Sequence, residues 1–233
     1  MESLLLPSKI RFARGERPTQ GVLVAEPFAQ GYGTTVGNAL RRVLLSSLPG
    51  AAITSVKMKG VEHEFSAIPH VKEDVLEVIL NLKAIRLKSF SAEPVKLSLS
   101  VKGEKAVTAA DFRANADVEI VNPEALIATL TDKGATLEME VTIEQGRGYR
   151  TTDDRSKEKL ELGTIAIDAL YSPVLNVSYK VEATRLGDRT DYDKLVLSIE
   201  TDGTVDPLDA AKSAVEILSD HLSLLKEMTY EAQ

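Results

Sequence analysis

Gly31-Tyr-Gly-Thr-Thr-Val-Gly-Asn-Ala-Leu-Arg-Arg-Val-Leu-Leu-Ser-Ser47 reads as a glycine-punctuated turn running into a helix with both faces in use. At about 100° per residue, Val36, Leu40, Val43, Leu44 and Ser47 fall on one stripe, the composition of a core face. The opposite face carries Asn38, Arg41, Arg42 and Leu45. Two solvated arginines are the plain reading of such a face. Leu45 beside them argues against it, because arginine with an apolar neighbour is the makeup of a protein–protein contact. Arg41 and Arg42 point about 100° apart and so engage different groups. A guanidinium fork suits bidentate pairing with a partner carboxylate.

The chain around this helix has 233 residues, 43% of them hydrophobic, enough for one or two domains with a sizeable core. Its net charge of −7 leaves room only for a local nucleic-acid patch. The absence of cysteine removes disulfides and thiolate zinc sites. Met1-Glu-Ser-Leu-Leu-Leu-Pro7 is neither a signal peptide nor an anchor, and no later stretch approaches the ~20 apolar residues of a spanning helix. These features point to a soluble, cytoplasmic protein.

Outward from the first helix, residues 4–14 and 20–28 read as strands. Ile53–Lys59, Val95–Val101, Leu137–Ile143, Gly163–Asp168, Val174–Ala183 and Leu195–Ile199 also have strand character, and Val71–Lys83 has helical spacing. Gly146–Lys159 is polar and reads as an exposed loop. The breaks at Pro49-Gly50 and Ser172-Pro173 bracket a segment large enough to be a domain. The expected fold is therefore α+β with two domains, one inserted in the other: 1–49 with 172–233, and 50–171.

Asp206-Pro207 is a strong helix start, an N-cap acid followed by proline in the first turn. Leu208, Ala211, Val215, Leu218, Leu222 and Leu225 follow at heptad spacing. A second seam of Ala210, Ala214, Ile217, His221, Leu224 and Met228 runs beside it. Together they cover an arc of roughly 200°, about twice that of an ordinary surface helix. One partner surface does not cover so wide an arc, so one seam is expected to pack on its own domain and the other on a second copy. The plainer reading is a helix sunk into its own domain.

Other constellations point to no chemistry. Gly31-x-Gly33-x-x-x-Gly37 departs from the dinucleotide fingerprint and lacks its βαβ context, which leaves a close approach of the helix to its neighbours. Asp188, Asp191 and Asp193 alternate with Arg185, Arg189 and Lys194, the pattern of a solvated turn with local pairing more than of a magnesium site. His63, His70 and His221 have no ligand spacing, and His221 is expected to be packed in its seam. No catalytic group, metal site or cofactor is expected in this chain.

The run 31–50 resembles the signature of the bacterial DNA-directed RNA polymerase alpha subunit, in its N-terminal assembly portion. Val61-Glu-His-Glu-Phe-Ser66, Val71-Lys-Glu-Asp-Val-Leu-Glu-Val-Ile-Leu-Asn-Leu-Lys83, Tyr171-Ser-Pro-Val174, Arg185-Leu-Gly-Asp-Arg-Thr-Asp-Tyr-Asp-Lys-Leu195 and Thr201-Asp-Gly-Thr-Val-Asp-Pro207 fit the same family in the same order. Val36 stands where leucine is usual and His70 where glycine is common, and residues 1–20 match poorly.

The resemblance implies the same division into domains and a homodimer formed through the first and last helices, with Leu40, Leu44, Leu208, Val215, Leu218, Leu222 and Leu225 at its interface. It implies a transcription scaffold that docks the beta subunit through Asn38, Arg41, Arg42 and Leu45, and the beta-prime subunit through Lys83, Arg185 and Arg189. Magnesium-dependent nucleotidyl transfer is then expected in the large subunits, this chain contributing as a subunit without an active site. The family continues into a small domain that binds promoter DNA. This chain stops at Gln233, so direct DNA binding is not expected of it. A free-standing dimeric binding module is the alternative.

Overall fold

The computed structural model describes residues 4–155 and 161–228. The chain divides into two compact units, Met1–Leu48 with Pro173–Gln233, and Pro49–Ser172. The first unit begins with strands β1 (Lys9–Arg14) and β2 (Gln20–Phe28), which pair antiparallel, and helix α1 (Tyr32–Ser46). The glycine-punctuated turn is shorter than the sequence suggests. Only Gly31 takes a left-handed backbone, at φ 86°, a conformation that costs glycine little. Gly33 and Gly37 lie inside the helix and are buried.

The second unit is an antiparallel sheet in the order β5 (Val95–Lys102), β9 (Thr136–Arg147), β3 (Pro49–Met58), β4 (Leu87–Ser89), β7 (Val118–Ile120). Strand β11 (Thr164–Ala166) also pairs with β3. Two smaller ladders join β6 (Lys105–Thr108) to β8 (Leu126–Leu130), and β10 (Tyr149–Arg150) to β12 (Ala169–Leu170). Helix α2 spans Val75–Lys83 and not the whole of Val71–Lys83, because Asp74 caps it by accepting the Glu77 amide at 2.7 Å. Its buried Val75, Val78, Ile79 and Leu82 join the inward residues of β5 and β9 in one core.

Within Gly146–Lys159 the structure corrects the loop reading. Gly146 continues β9, Asp153–Arg155 is a short 3-10 helix, and Arg155 is 7% exposed. The Arg155 guanidinium donates to the backbone carbonyls of Thr54 and Ile167. Residues 156–159 lie outside the described residues.

The chain returns to the first unit as a long hairpin, β13 (Val174–Leu186) and β14 (Arg189–Thr201), and ends in α3 (Pro207–Leu225). The sheet order is β1-β2-β14-β13. Leu40, Leu44 and Leu48 from α1, Val177, Leu197 and Ile199 from the sheet, and Ala210, Ala211 and Ala214 from α3 form the core. Alanines let α3 come close to its neighbours; glycines do the same for α1. A Cβ on Gly37 would lie 2.8 Å from both Leu195 Cδ1 and the Tyr179 ring, and Leu195 is fully buried. Gly37→Ala is expected to destabilise the first unit by about 1–2 kcal/mol, the overpacking cost outweighing alanine's better helix propensity. A lowered urea midpoint by circular dichroism checks this.

Candidate functional site

The outward face of α1 is where the sequence places it. Asn38, Arg41 and Arg42 are exposed, and Leu45 is 36% exposed. Neither arginine has an ion-pair partner among the described residues. The helix backbone beneath them is held firmly at its start. Asp193 of β14 accepts the Gly31 amide at 2.8 Å and the Gly33 amide at 3.1 Å. A carboxylate thus occupies the positive end of the helix dipole, the position a phosphate would take in a nucleotide loop. Sequence reasoning missed this cap, because its two halves stand 160 residues apart. Asp193→Ala is expected to cost about 1–2 kcal/mol, read as a lower urea midpoint that Asp193→Asn partly restores.

One flank of α1 borders a shallow trough of about 1010 Å³, lined by Thr34, Thr35, Asn38, Ala39, Arg42 and Val43 with Tyr179 and with Leu218 of α3. Asn38 and Arg42 therefore share a surface with Leu218. Leu40 and Leu44, by contrast, are 5% and 0% exposed within their own unit. Their expected place at a dimer interface is corrected: the protomer's own core consumes them, and they have no surface to give a partner.

Helix α3 divides along its length more than around it. In its first half, Ala210, Ala211 and Ala214 are buried, while Leu208 is 38% and Val215 50% exposed on one flank. From Ser219 to Met228 every residue is exposed. Leu222, Leu225 and Leu224 are 52%, 53% and 68% exposed, and Met228 is 77% exposed. His221 is exposed too, contrary to the packed position expected, and its Nδ1 donates to the Ile217 carbonyl. Leu208, Val215 and Leu222 recur at seven-residue spacing, so one bare stripe runs from the packed half into the unpacked one.

The charged run 185–194 forms the end of the β13–β14 hairpin and not a loop ahead of a strand. Arg189 makes a fork to Asp191, 3.0 Å from Nε to Oδ1 and 2.7 Å from Nη2 to Oδ2, and holds that carboxyl below its ordinary range. The same guanidinium lies 5.0 Å from the Tyr192 ring centroid. Arg185 approaches Asp188 at 3.9 Å. With Asp193 turned to α1, the three aspartates serve three different groups. Both arginines remain largely exposed at the hairpin end.

Lys83 belongs to the other unit. It ends α2, and its Nζ lies 3.6 Å from Asp168. The Thr152 backbone amide, with Lys83 and Tyr149 assisting, keeps Asp168 below the usual carboxylate range. Among the described residues no helix is long and apolar enough to cross a membrane.

Residues 56–172 match the family model described as the RNA polymerase Rpb3/RpoA insert domain, nearly the whole of the second unit. The chain is similar to the DNA-directed RNA polymerase subunit alpha of Moorella thermoacetica, 52% identical over 209 residues, which is 90% of this chain and 66% of that protein. It is likewise similar to the alpha subunits of Symbiobacterium thermophilum, at 49% identity over 93% of this chain and 69% of the relative, and Oceanobacillus iheyensis, at 47% over 94% and 69%. The chain thus spans about two thirds of the length of the curated relatives it matches.

Proposed function

We infer that this chain, which belongs to the bacterial DNA-directed RNA polymerase alpha-subunit family, is the homodimeric scaffold on which the cytoplasmic enzyme assembles. The observation that carries this reading is the surface surplus of the first unit: Arg41 and Arg42, without ion-pair partners among the described residues, around an exposed Leu45 on α1, and a bare apolar stripe on α3. The stripe of Leu208, Val215, Leu218, Leu222 and Leu225 docks a second copy. The outward face of α1, with Asn38, Arg41, Arg42 and Leu45, docks the beta subunit. Arg185 and Arg189 at the hairpin end, with Lys83 on the inserted unit, meet beta-prime. Two identical protomers then serve two different partners, an asymmetric use of a symmetric pair.

Catalysis in this reading belongs to the large subunits, and the chain needs no cofactor or metal of its own. Family membership also weighs against a free-standing binding module, the alternative open to the sequence alone. Titrating purified beta and beta-prime subunits onto the chain tests the proposal. A stable complex holding two copies of this chain with each large subunit is the expected product. Failure of both large subunits to bind would remove it.

A further inference from the structure

Strand β1 closes one side of the first unit's sheet, in the order β1-β2-β14-β13, and among the described residues β2 is its one strand neighbour. In the register of that pairing, Gly15 donates to the Gln20 carbonyl at 2.8 Å. Antiparallel partners alternate between bonded and non-bonded pairs. The odd-numbered residues of β1 therefore bond to β2, and the amides and carbonyls of Ile10, Phe12 and Arg14 face the open edge. Side chains alternate between the two faces in step. Phe12 packs on the core of the unit, which puts Ile10 and Arg14 on that face and Lys9 and Arg11 on the other. Ile10 is 65% exposed. Lys9 and Arg11 are exposed, and neither has an ion-pair partner among the described residues. Glu26, across the ladder from Lys9, accepts the Thr184 hydroxyl at 2.9 Å instead. Arg14 reaches Asp206 at 3.6 Å and stays largely in water.

Charges along an edge strand ordinarily keep other strands away. This edge departs from that pattern in two ways. A large aliphatic side chain is left bare between the cations, and Lys9, Arg11 and Arg14 are all of one sign in a chain of net charge −7. A phosphate backbone would meet the cations, but it would also meet the outward carbonyls of β1, which repel it, and would leave Ile10 in water. An added strand uses the main-chain row, the aliphatic side chain and the charge together. We propose that β1 accepts an extended acidic segment of a partner protein as a further strand of this sheet. Residues directly opposed in such a pair share a face. The segment therefore reads acidic-aliphatic-acidic where it lies opposite Lys9, Ile10 and Arg11. None of these three residues belongs to the proposed dimer, beta or beta-prime contacts, so the two readings succeed or fail separately.

The probe is a short fluorescein-labelled peptide of alternating glutamate and valine. It is titrated with the full chain and read by fluorescence polarisation, beside its lysine–valine counterpart and a labelled oligothymidylate. The acidic peptide is expected to bind, and the other two to bind at least about tenfold more weakly. Arg11→Glu lowers the affinity for the acidic peptide about tenfold or more, and so does Ile10→Asp. Both positions are exposed, so the circular dichroism spectrum and the particle mass stay those of the unmodified chain. N-methylating one set of alternate amides in the peptide abolishes binding, and methylating the other set leaves it intact, as a strand hydrogen-bonded along one edge requires. Each of four results would overturn the proposal: no binding of the acidic peptide, a lysine–valine peptide or oligothymidylate bound as tightly, an affinity unchanged by Arg11→Glu and Ile10→Asp, or indifference to both methylation patterns.

Discussion

Aspartate in place of Leu222, or of Val215, is expected to convert the proposed homodimer into a folded monomer. Both side chains are about half exposed in the protomer, 52% and 50%, so neither substitution opens a cavity or buries a charge within a single copy. The effect falls on association. Fully burying a leucine contributes ~1.5–3 kcal/mol. The exposed remainders of Leu208, Val215, Leu222 and Leu225 therefore amount to on the order of 6–12 kcal/mol once two-fold symmetry doubles them. Association itself costs about 4–15 kcal/mol. One carboxylate placed in each copy of a self-complementary apolar contact adds two charges that association must desolvate, each costing several kcal/mol, enough to reverse the balance. Light scattering should read one copy, 25.3 kDa, with an unaltered circular dichroism spectrum. A variant that stays dimeric would move the interface off this stripe.

The second large effect belongs to Arg42. Arg42→Ala is expected to leave the dimer and the fold intact and to weaken capture of the beta subunit by about 30-fold to 1,000-fold, the range of an arginine anchor worth 2–4 kcal/mol. The reasoning is geometric. Arg42 lies opposite the buried Gly37, Leu40 and Leu44, is exposed, and has no ion-pair partner among the described residues. Its loss therefore takes nothing from the protomer's own packing. Arg42→Lys should recover only part of the affinity, because an ammonium lacks the bidentate fork. Because Arg42 lines the same trough as Leu218, a monomeric Arg42→Ala would instead assign it to the contact between copies. Binding to immobilised beta, measured beside the particle mass, separates the two outcomes.

The register of α1 was legible because helical period is a local property: Leu40 and Leu44 point in, Arg41, Arg42 and Leu45 point out, and no tertiary information was needed. The positions of Gly33 and Gly37 were not legible in the same way. Glycine is a common turn residue, and only the approach of Tyr179, Val181 and Leu195 explains two glycines inside a helix. The run 185–194 looked like a loop because it lacks apolar alternation. It pairs nevertheless through its backbone, in a hairpin whose end leaves its charged side chains in water. Arg155 hid for the opposite reason, since its partners are main-chain carbonyls at Thr54 and Ile167, which no side-chain pattern announces. The heptads of α3 showed the width of its apolar arc. They did not show that packing ends near Leu218, since that depends on how far the sheet and α1 extend beneath the helix. Nor did they show that Leu40 and Leu44 are filled from within the protomer, as the period of α1 alone distinguishes an inner face from an outer one without naming what covers it.

The most direct test of the whole account is the mass of the unmodified chain in solution, measured by light scattering across a micromolar dilution series. Two copies per particle throughout that range is the predicted result. A particle of 25.3 kDa at the highest concentration would mean that the bare half of α3 stays in water, and would contradict it.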